Sequence, residues 1–416
     1  MGKKLSRREM LKLGTVWGTG GLLALEGENL AAPLTEQLER QSAGKNSGIL
    51  ITDVDCFQVK VPWPEEDIKR GKMNHYGVVK ITTTAGITGY AFGGVRWEGE
   101  NREKIKRMLI GQDPFGVEGF LGQGLVNNAP IEHALWDIIG KAAGMPVHKL
   151  LGGKKDKTKF YLTMVWAGKA DQTDIPLEKQ ANDILEYNRL GYQIVKIRAF
   201  RPNVMEDVEV AKLVLKKATT GFRLMFDRTA QMSGWVWTYD QAQQVAKGLQ
   251  DAGAYWLEEP FEVGDMIKSA KLTQETDMLI TGGEHDKDIY PFAQYLANDV
   301  FDIVQPDGFT AGGILTIKKI GSMAQAFNKP CILHGTHSLT MFGWLQINAS
   351  LTNCSYQEIG LIRPPILPYE QWEPGLKLLN TPQMFEMDKE YIKIPQGPGL
   401  GMDVNEDALR EYRVQS

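Results

Sequence analysis

Cysteine is scarce. Cys56, Cys331 and Cys354 are the only three in 416 residues, an odd number with no Cys-x-x-Cys pair. That excludes a disulfide framework and a thiolate metal centre. No stretch interleaves basic and aromatic residues, and the net charge is −4 with a pI near 6.0; no nucleic-acid partner is expected. No uninterrupted apolar run is long enough for a stable membrane span. The composition, 43% hydrophobic and 24% charged, is that of a folded globular chain and argues against extended disorder.

The N-terminus reads differently from the rest. Ser6-Arg7-Arg8-Glu9-Met10-Leu11-Lys12 precedes a mild, glycine-rich apolar run from Leu13 to Leu25. This resembles a twin-arginine export signal, with methionine where phenylalanine is commoner. Residues 1–32 are therefore expected to be a signal peptide and residues 33–47 a polar linker, with a periplasmic or otherwise exported protein as the result.

Ile49 to Val61 and Tyr76 to Phe92 alternate and are rich in β-branched residues, as antiparallel strands do, with a polar loop from Pro62 to His75 between them. In Ile131–Gly144, apolar residues at Leu135, Ile138, Ile139 and Ala142 fit the buried stripe of a helix. From Lys159 onward short apolar runs alternate with longer amphipathic segments such as Tyr239–Ala252 and Leu315–Phe327. The short runs are Phe160–Trp166, Ile194–Arg198, Leu224–Asp227, Tyr255–Glu258, Met278–Glu284, Phe301–Asp307, Cys331–His334 and Tyr356–Glu358. Repeated β–α units imply an α/β fold with a parallel sheet, and eight of them suggest a closed barrel.

Polar residues stand at or near the carboxyl ends of these runs: Lys196, Asp227, Glu258, Glu284, Asp307, His334 and Glu358, at steps of 23 to 31 residues. Equivalent strand ends of a parallel barrel converge on one mouth, so these seven groups should meet there. In Ala254-Tyr-Trp-Leu-Glu-Glu-Pro-Phe-Glu262, alternation puts Trp256 and Glu258 on one face and Tyr255 and Leu257 on the other. Three carboxylates from consecutive strands, Asp227, Glu258 and Glu284, would repel one another unless a cation neutralised them. An all-oxygen set with room for water or substrate favours Mg²⁺ over zinc. Glu259, of opposite alternation, reads as an ion-pair partner, and His285 and His337 as loop residues. Lys196 and Arg198 share one strand face and suit a substrate carboxylate. Asp307 would orient His334 as a base.

These motifs together resemble the enolase superfamily in its mandelate racemase/muconate-lactonizing branch, from about residue 48 to the end. The resemblance is carried by Ala134-Leu-Trp-Asp137 with Leu150-Leu-Gly-Gly153, Lys196-Ile-Arg198, Phe226-Asp227, Trp256-Leu-Glu-Glu-Pro260, Gly282-Gly-Glu284, Gln305-Pro-Asp307 with Gly312-Gly313, and Leu333-His334-Gly335. It implies an α+β capping domain, formed by residues 48–130 and 365–416, over a modified TIM barrel, (β/α)7β, at residues 131–364. It further implies Mg²⁺ on Asp227, Glu258 and Glu284, an Asp307–His334 dyad, Glu358 as a hydrogen-bond donor or general acid, and a homo-oligomer.

Two departures from the family pattern bear on the reaction. Arg198 stands where many relatives carry a second lysine base; a guanidinium stays protonated, which disfavours racemisation. Thr229 stands where an asparagine is common. A dehydratase can work with His334 alone, so the expected reaction is Mg²⁺-dependent dehydration of a sugar acid to a 2-keto-3-deoxy acid. The alternatives are an isomerase using Lys196 as second base, or a non-catalytic barrel that binds sugar acids. Loops at Trp63–His75 and Gly93–Glu98 are expected to close the pocket.

Overall fold

Alternating burial along Ile51–Lys60 (β1) and His75–Thr83 (β2) makes one face of an antiparallel pair, extended by Thr88–Phe92 (β3) to a three-stranded sheet. The computed structural model describes residues 47–166, 175–229, 236–335, 338–362 and 366–415. The expected signal at 1–32, the linker up to residue 46, and His337 lie outside the described residues. The strand-rich stretch from Tyr76 to Phe92 is divided by a turn in which Gly86 takes a φ of +73°. The loop at Pro62–His75 contains a short helix, Glu65–Lys69.

The sheet packs on the helix Ala129–Ala143 (α1), whose buried residues include Leu135, Ile138 and Ile139. β3 and α1 approach so closely that a Cβ on Gly89 would lie 2.3 Å from the Ala134 carbonyl oxygen. Asp137 fastens three segments together. It accepts hydrogen bonds from the backbone of Tyr90 (2.9 Å) and Leu400 (2.8 Å) and from Lys141 Nζ (2.6 Å). The C-terminal segment also returns to β1, through Lys60 N to Tyr412 O and Val414 N to Gln58 O, both 2.9 Å.

The second sheet runs in the order β10-β4-β5-β6-β7-β8-β9. Its strands are Lys157–Val165 (β4), Ile194–Arg198 (β5), Arg223–Asp227 (β6), Trp256–Glu258 (β7), Leu279–Gly282 (β8), Ile303–Val304 (β9) and Tyr356–Ile362 (β10), all pairs parallel. Tyr391–Lys393 (β11) adds to β4 antiparallel. Between the strands lie helices Leu177–Arg189 (α2), Met205–Leu215 (α3), Tyr239–Ala252 (α4), Met266–Glu275 (α5), Tyr290–Ala297 (α6), Ile314–Ala326 (α7) and Met341–Ser350 (α8). Helix α4 starts and stops where its sequence says it should. Thr238 and Gln241 form a capping box, and Gly253 ends the helix at a φ of +85°. No helix of the described residues is long and apolar enough to cross a membrane.

One expected strand is incomplete. Cys331–His334 is joined to the β9 segment only by isolated bridges, Val304 to Cys331 and Asp307 to His334. Ile332 and His334 donate to the carbonyls of Val304 and Pro306. Pro306 has no N–H to give back, so the ladder is interrupted.

Alternation then sorts the side chains. Tyr161, Ile194, Met225, Trp256, Ile303, Ile332 and Tyr356 form a separate apolar cluster inside the barrel. Val195, Leu224, Leu257, Val304 and Leu333 join the larger core beneath the helices. Lys196, Asp227, Glu258, Gln305, His334 and Glu358 each stand two residues beyond a member of the inner cluster, and so on the same face at the carboxyl end.

Replacing Asp137 with alanine strands two buried backbone N–H groups and leaves Lys141 only the Thr88 carbonyl at 2.9 Å. The variant should lose about 3 kcal/mol, read as a lower urea midpoint with an unchanged m-value. A change below about 0.5 kcal/mol, the range of neutral surface substitutions, would show that Asp137 is not a fastening point.

Candidate active site and metal centre

At the mouth of the barrel Asp227, Glu258 and Glu284 are all buried. Each contributes an oxygen to a set lying within 4.8 Å of one another. Asp227 and Glu258 arrive by simple alternation. Glu284 does not, because Thr281 already takes the inward place on β8. Gly283, at a φ of +115°, turns the chain so that Glu284 also faces the mouth; a Cβ there would lie 2.8 Å from Phe292.

Lys196 lies fully buried beneath these acids. Its Nζ is 2.8 Å from Glu258 Oε2, 3.0 Å from Glu358 Oε1 and 3.6 Å from Asp227 Oδ2. Burial works against its charge, but Glu258 and Glu358 outweigh burial and hold the ammonium well above its ordinary range. Burial pushes Glu258 up to about 8, with Lys196 pulling the other way and Asp227 and Glu284 adding to the rise. Gln305 Nε2 donates to Glu258 at 3.1 Å.

Arg198 is engaged as well, with Nη1 2.6 Å from Asp227 Oδ2. Thr229 stands between them, hydrogen-bonded to both, at a φ of +35° that β-branched residues rarely adopt. The charges of Lys196 and Arg198 are thus directed at protein carboxylates.

His334 bridges two acids. Its Nδ1 is 3.2 Å from Asp307 Oδ2 and its Nε2 is 2.9 Å from Glu284 Oε2. Burial disfavours the imidazolium, but Glu284, Glu358 and Asp307 together raise its pKa well above the usual value. Glu284 thus occupies the second ring nitrogen of His334 in this arrangement. Asp307 is itself fixed by the backbone N–H groups of Phe309 (3.0 Å) and Thr310 (2.8 Å).

Glu358 accepts hydrogen bonds in this arrangement. Burial raises its pKa, yet Lys196, His334, Thr163 and the Gly335 N–H (2.6 Å) overcome that and bring it to about 2. It is therefore an ionised acceptor here. Glu259, buried at a φ of +44°, lies 3.6 Å from His285 Nε2, which is also 3.1 Å from Glu284. The loop at Gly93–Glu98 touches the Asp307 segment, since a Cβ on Gly93 would lie 2.7 Å from Phe309. The loop at Trp63–His75 connects to the far side, Met73 N donating to Gln371 O and Gln371 Nε2 to Gly360 O, both at 3.1 Å.

Comparison with known families fits this geometry. Residues 54–152 match the mandelate racemase/muconate lactonizing enzyme N-terminal domain, and residues 177–408 match the enolase C-terminal domain-like family. The chain belongs to the enolase superfamily, in its mandelate racemase/muconate-lactonizing branch. Its curated relatives include an arabinonate dehydratase of Saccharolobus solfataricus, 27% identical over 73% of this chain and 75% of the relative. Another is a 3,6-anhydro-alpha-L-galactonate cycloisomerase of Streptomyces coelicolor, 25% identical over 73% of this chain and 86% of the relative. Among solved structures, D-glucarate dehydratase from Agrobacterium tumefaciens, complexed with magnesium, superposes with a TM-score of 0.74. It covers 89% of this chain and 100% of its own, at 23% identity, and so speaks for the fold.

Within this superfamily member, sequence reading missed Gln305 and Thr163. Gln305 had a usable signal, two residues before Asp307 and on the same face. Thr163 had none, because β4 carries no charged group at its carboxyl end. The three carboxylates suit a hard cation by donor type, by spacing and by the raised pKa of Glu258. A divalent cation at 100 times its Kd should stabilise the protein by about 2.7 kcal/mol. Calorimetric titration should show that binding weakened at least tenfold in Glu258→Gln; equal binding in the variant would remove Glu258 from the centre.

Proposed function

We propose that this enzyme dehydrates a sugar acid to a 2-keto-3-deoxy acid, with Mg²⁺ as its cation. The observation that carries this reading is an asymmetry of the mouth. His334, backed by Asp307, supplies an imidazole, while the strand Ile194–Arg198 presents Arg198 bound to Asp227, a guanidinium that stays protonated.

The residues divide the work as follows. Asp227, Glu258 and Glu284 would hold the cation, which when bound supplies Lewis-acid charge to the substrate carboxylate. Lys196, next to Glu258 and Glu358, adds positive charge on the same side. His334 Nε2 removes the proton α to the carboxylate, and the negative charge so released spreads onto the carboxylate oxygens as an enediolate. Asp307 keeps Nδ1–H directed and stabilises the imidazolium. The protonated His334 then delivers its proton to the departing β-hydroxyl, which leaves as water; the resulting enol converts to the 2-keto acid. Glu358, ionised, anchors Lys196 and the Gly335 N–H. The dehydratase relatives support this reaction.

A second reading, an isomerase, is favoured by one observation: cycloisomerases stand beside dehydratases among the relatives. The twin-arginine segment adds to the proposal an exported enzyme acting on acid sugars outside the cytoplasm.

Purified protein with Mg²⁺, screened in D₂O against mono- and diacid sugars, should form a 2-keto acid from at least one of them. His334→Asn should lower that rate by roughly 10³-fold or more, the order seen when a general base is removed. Deuterium exchange or isomerisation without keto acid would move the enzyme to the isomerase reading, and Lys196→Met would then have to abolish it.

A further inference from the structure

Helix α8, Met-Phe-Gly-Trp-Leu-Gln-Ile-Asn-Ala-Ser, is buried at every position, including polar Gln346, Asn348 and Ser350. One of its side chains touches His334 and the two residues that follow Asp307. Trp344 Nε1 donates to the main-chain carbonyl of His334 at 3.0 Å. Its ring lies against Gly308, the residue after Asp307, where a Cβ would come within 2.6 Å of the indole carbons. Phe309 stands edge-on to the same ring, with centroids 4.4 Å apart at 85°. The Phe309 N–H in turn holds Asp307 Oδ1 at 3.0 Å. On its other side the indole meets His133 of α1, at 5.4 Å between centroids.

The indole N–H of Trp344 is paired with the backbone of His334, whereas those of Trp136 and Trp166 are paired with carboxylates and those of Trp237, Trp256 and Trp372 are buried without a partner. Asp307 and His334 come from segments joined by isolated bridges rather than a continuous ladder, because Pro306 cannot donate. The sheet alone therefore fixes their separation weakly, and a rigid ring spanning both segments supplies the missing constraint.

We propose that Trp344 is a positioning residue for the reaction, setting the distance between Asp307 and His334 from behind. It touches neither substrate nor cation. The proposal rests on the reading of Asp307–His334 as the dyad.

The test uses full-length protein carrying ¹⁵N-labelled histidine. The chain has six histidines, and the ring signal of His334 is assigned by its loss in His334→Asn. In Trp344→Phe, which keeps an aromatic ring and loses the N–H, the downfield Nδ1–H signal of His334 should broaden or vanish. The turnover number for α-proton exchange should fall 10- to 100-fold, as when a supporting partner of a site residue is removed or a reacting group is slightly misplaced. KM and Mg²⁺ affinity should stay within about threefold. An unchanged signal with unchanged turnover number in a folded variant overturns the proposal. So does a parallel loss of Mg²⁺ affinity, which would make Trp344 a general support of the barrel. If Trp344→Phe does not fold, Gly308→Ala decides. Its new methyl would press on the indole without removing a hydrogen bond, and an unchanged His334 signal there also overturns the proposal. Should no sugar acid be turned over by the parent protein, the functional reading fails while the comparison of His334 signals still decides the role of Trp344.

Discussion

The structure turns on buried negative charge. Asp227, Glu258, Glu284, Asp307 and Glu358 converge on one mouth, where Lys196, Arg198 and a protonated His334 oppose them. Five acids against three cations leave an excess of two negative charges in a place where water cannot screen them. The protein answers in part by raising Glu258 to about 8. A divalent cation would offset the same excess without that protonation. Every other feature of the mouth follows from this balance: why Lys196 is wholly buried, why Arg198 lies on Asp227, and why His334 is drawn to Glu284.

Holding like charges together requires a frame that does not yield. The inner cluster of Tyr161, Met225, Trp256 and their neighbours floors the barrel directly beneath the site. Asp137 ties the antiparallel sheet and the C-terminal segment to α1. Glu132, on the same helix, accepts hydrogen bonds from the N–H groups of Ile314 (2.8 Å) and Leu315 (3.0 Å) at the start of α7. The Ala134–Asp137 motif is thus structural, and its chemistry is that of joining segments.

Much of this was legible from the sequence, for a simple reason. Strand alternation is a period of two, so Trp256 and Glu258 must share a face, and the recurrence of a polar residue after each apolar run exposed the mouth. The helix at Tyr239–Ala252 was legible from its amphipathic pattern. What escaped were features set by backbone turns and by partners distant in the chain. The direction of Glu284 depends on the positive φ of Gly283. The incomplete Cys331–His334 strand reflects the missing donor of Pro306. The ionised state of Glu358 depends on Thr163, Gly335 and Lys196, which come from three other segments. The burial of Lys196 against three acids appears only in three dimensions.

The central claim is that Asp227, Glu258 and Glu284 form one cation site and that occupying it frees His334. The most direct measurement is a crystal structure of the protein soaked with Mn²⁺, using the anomalous signal to place the metal. The account expects one peak among the three carboxylates, with Glu284 turned from His334 Nε2 toward the ion and the Asp307–His334 contact kept. A peak elsewhere, or an occupied site in which His334 still holds Glu284, would contradict it.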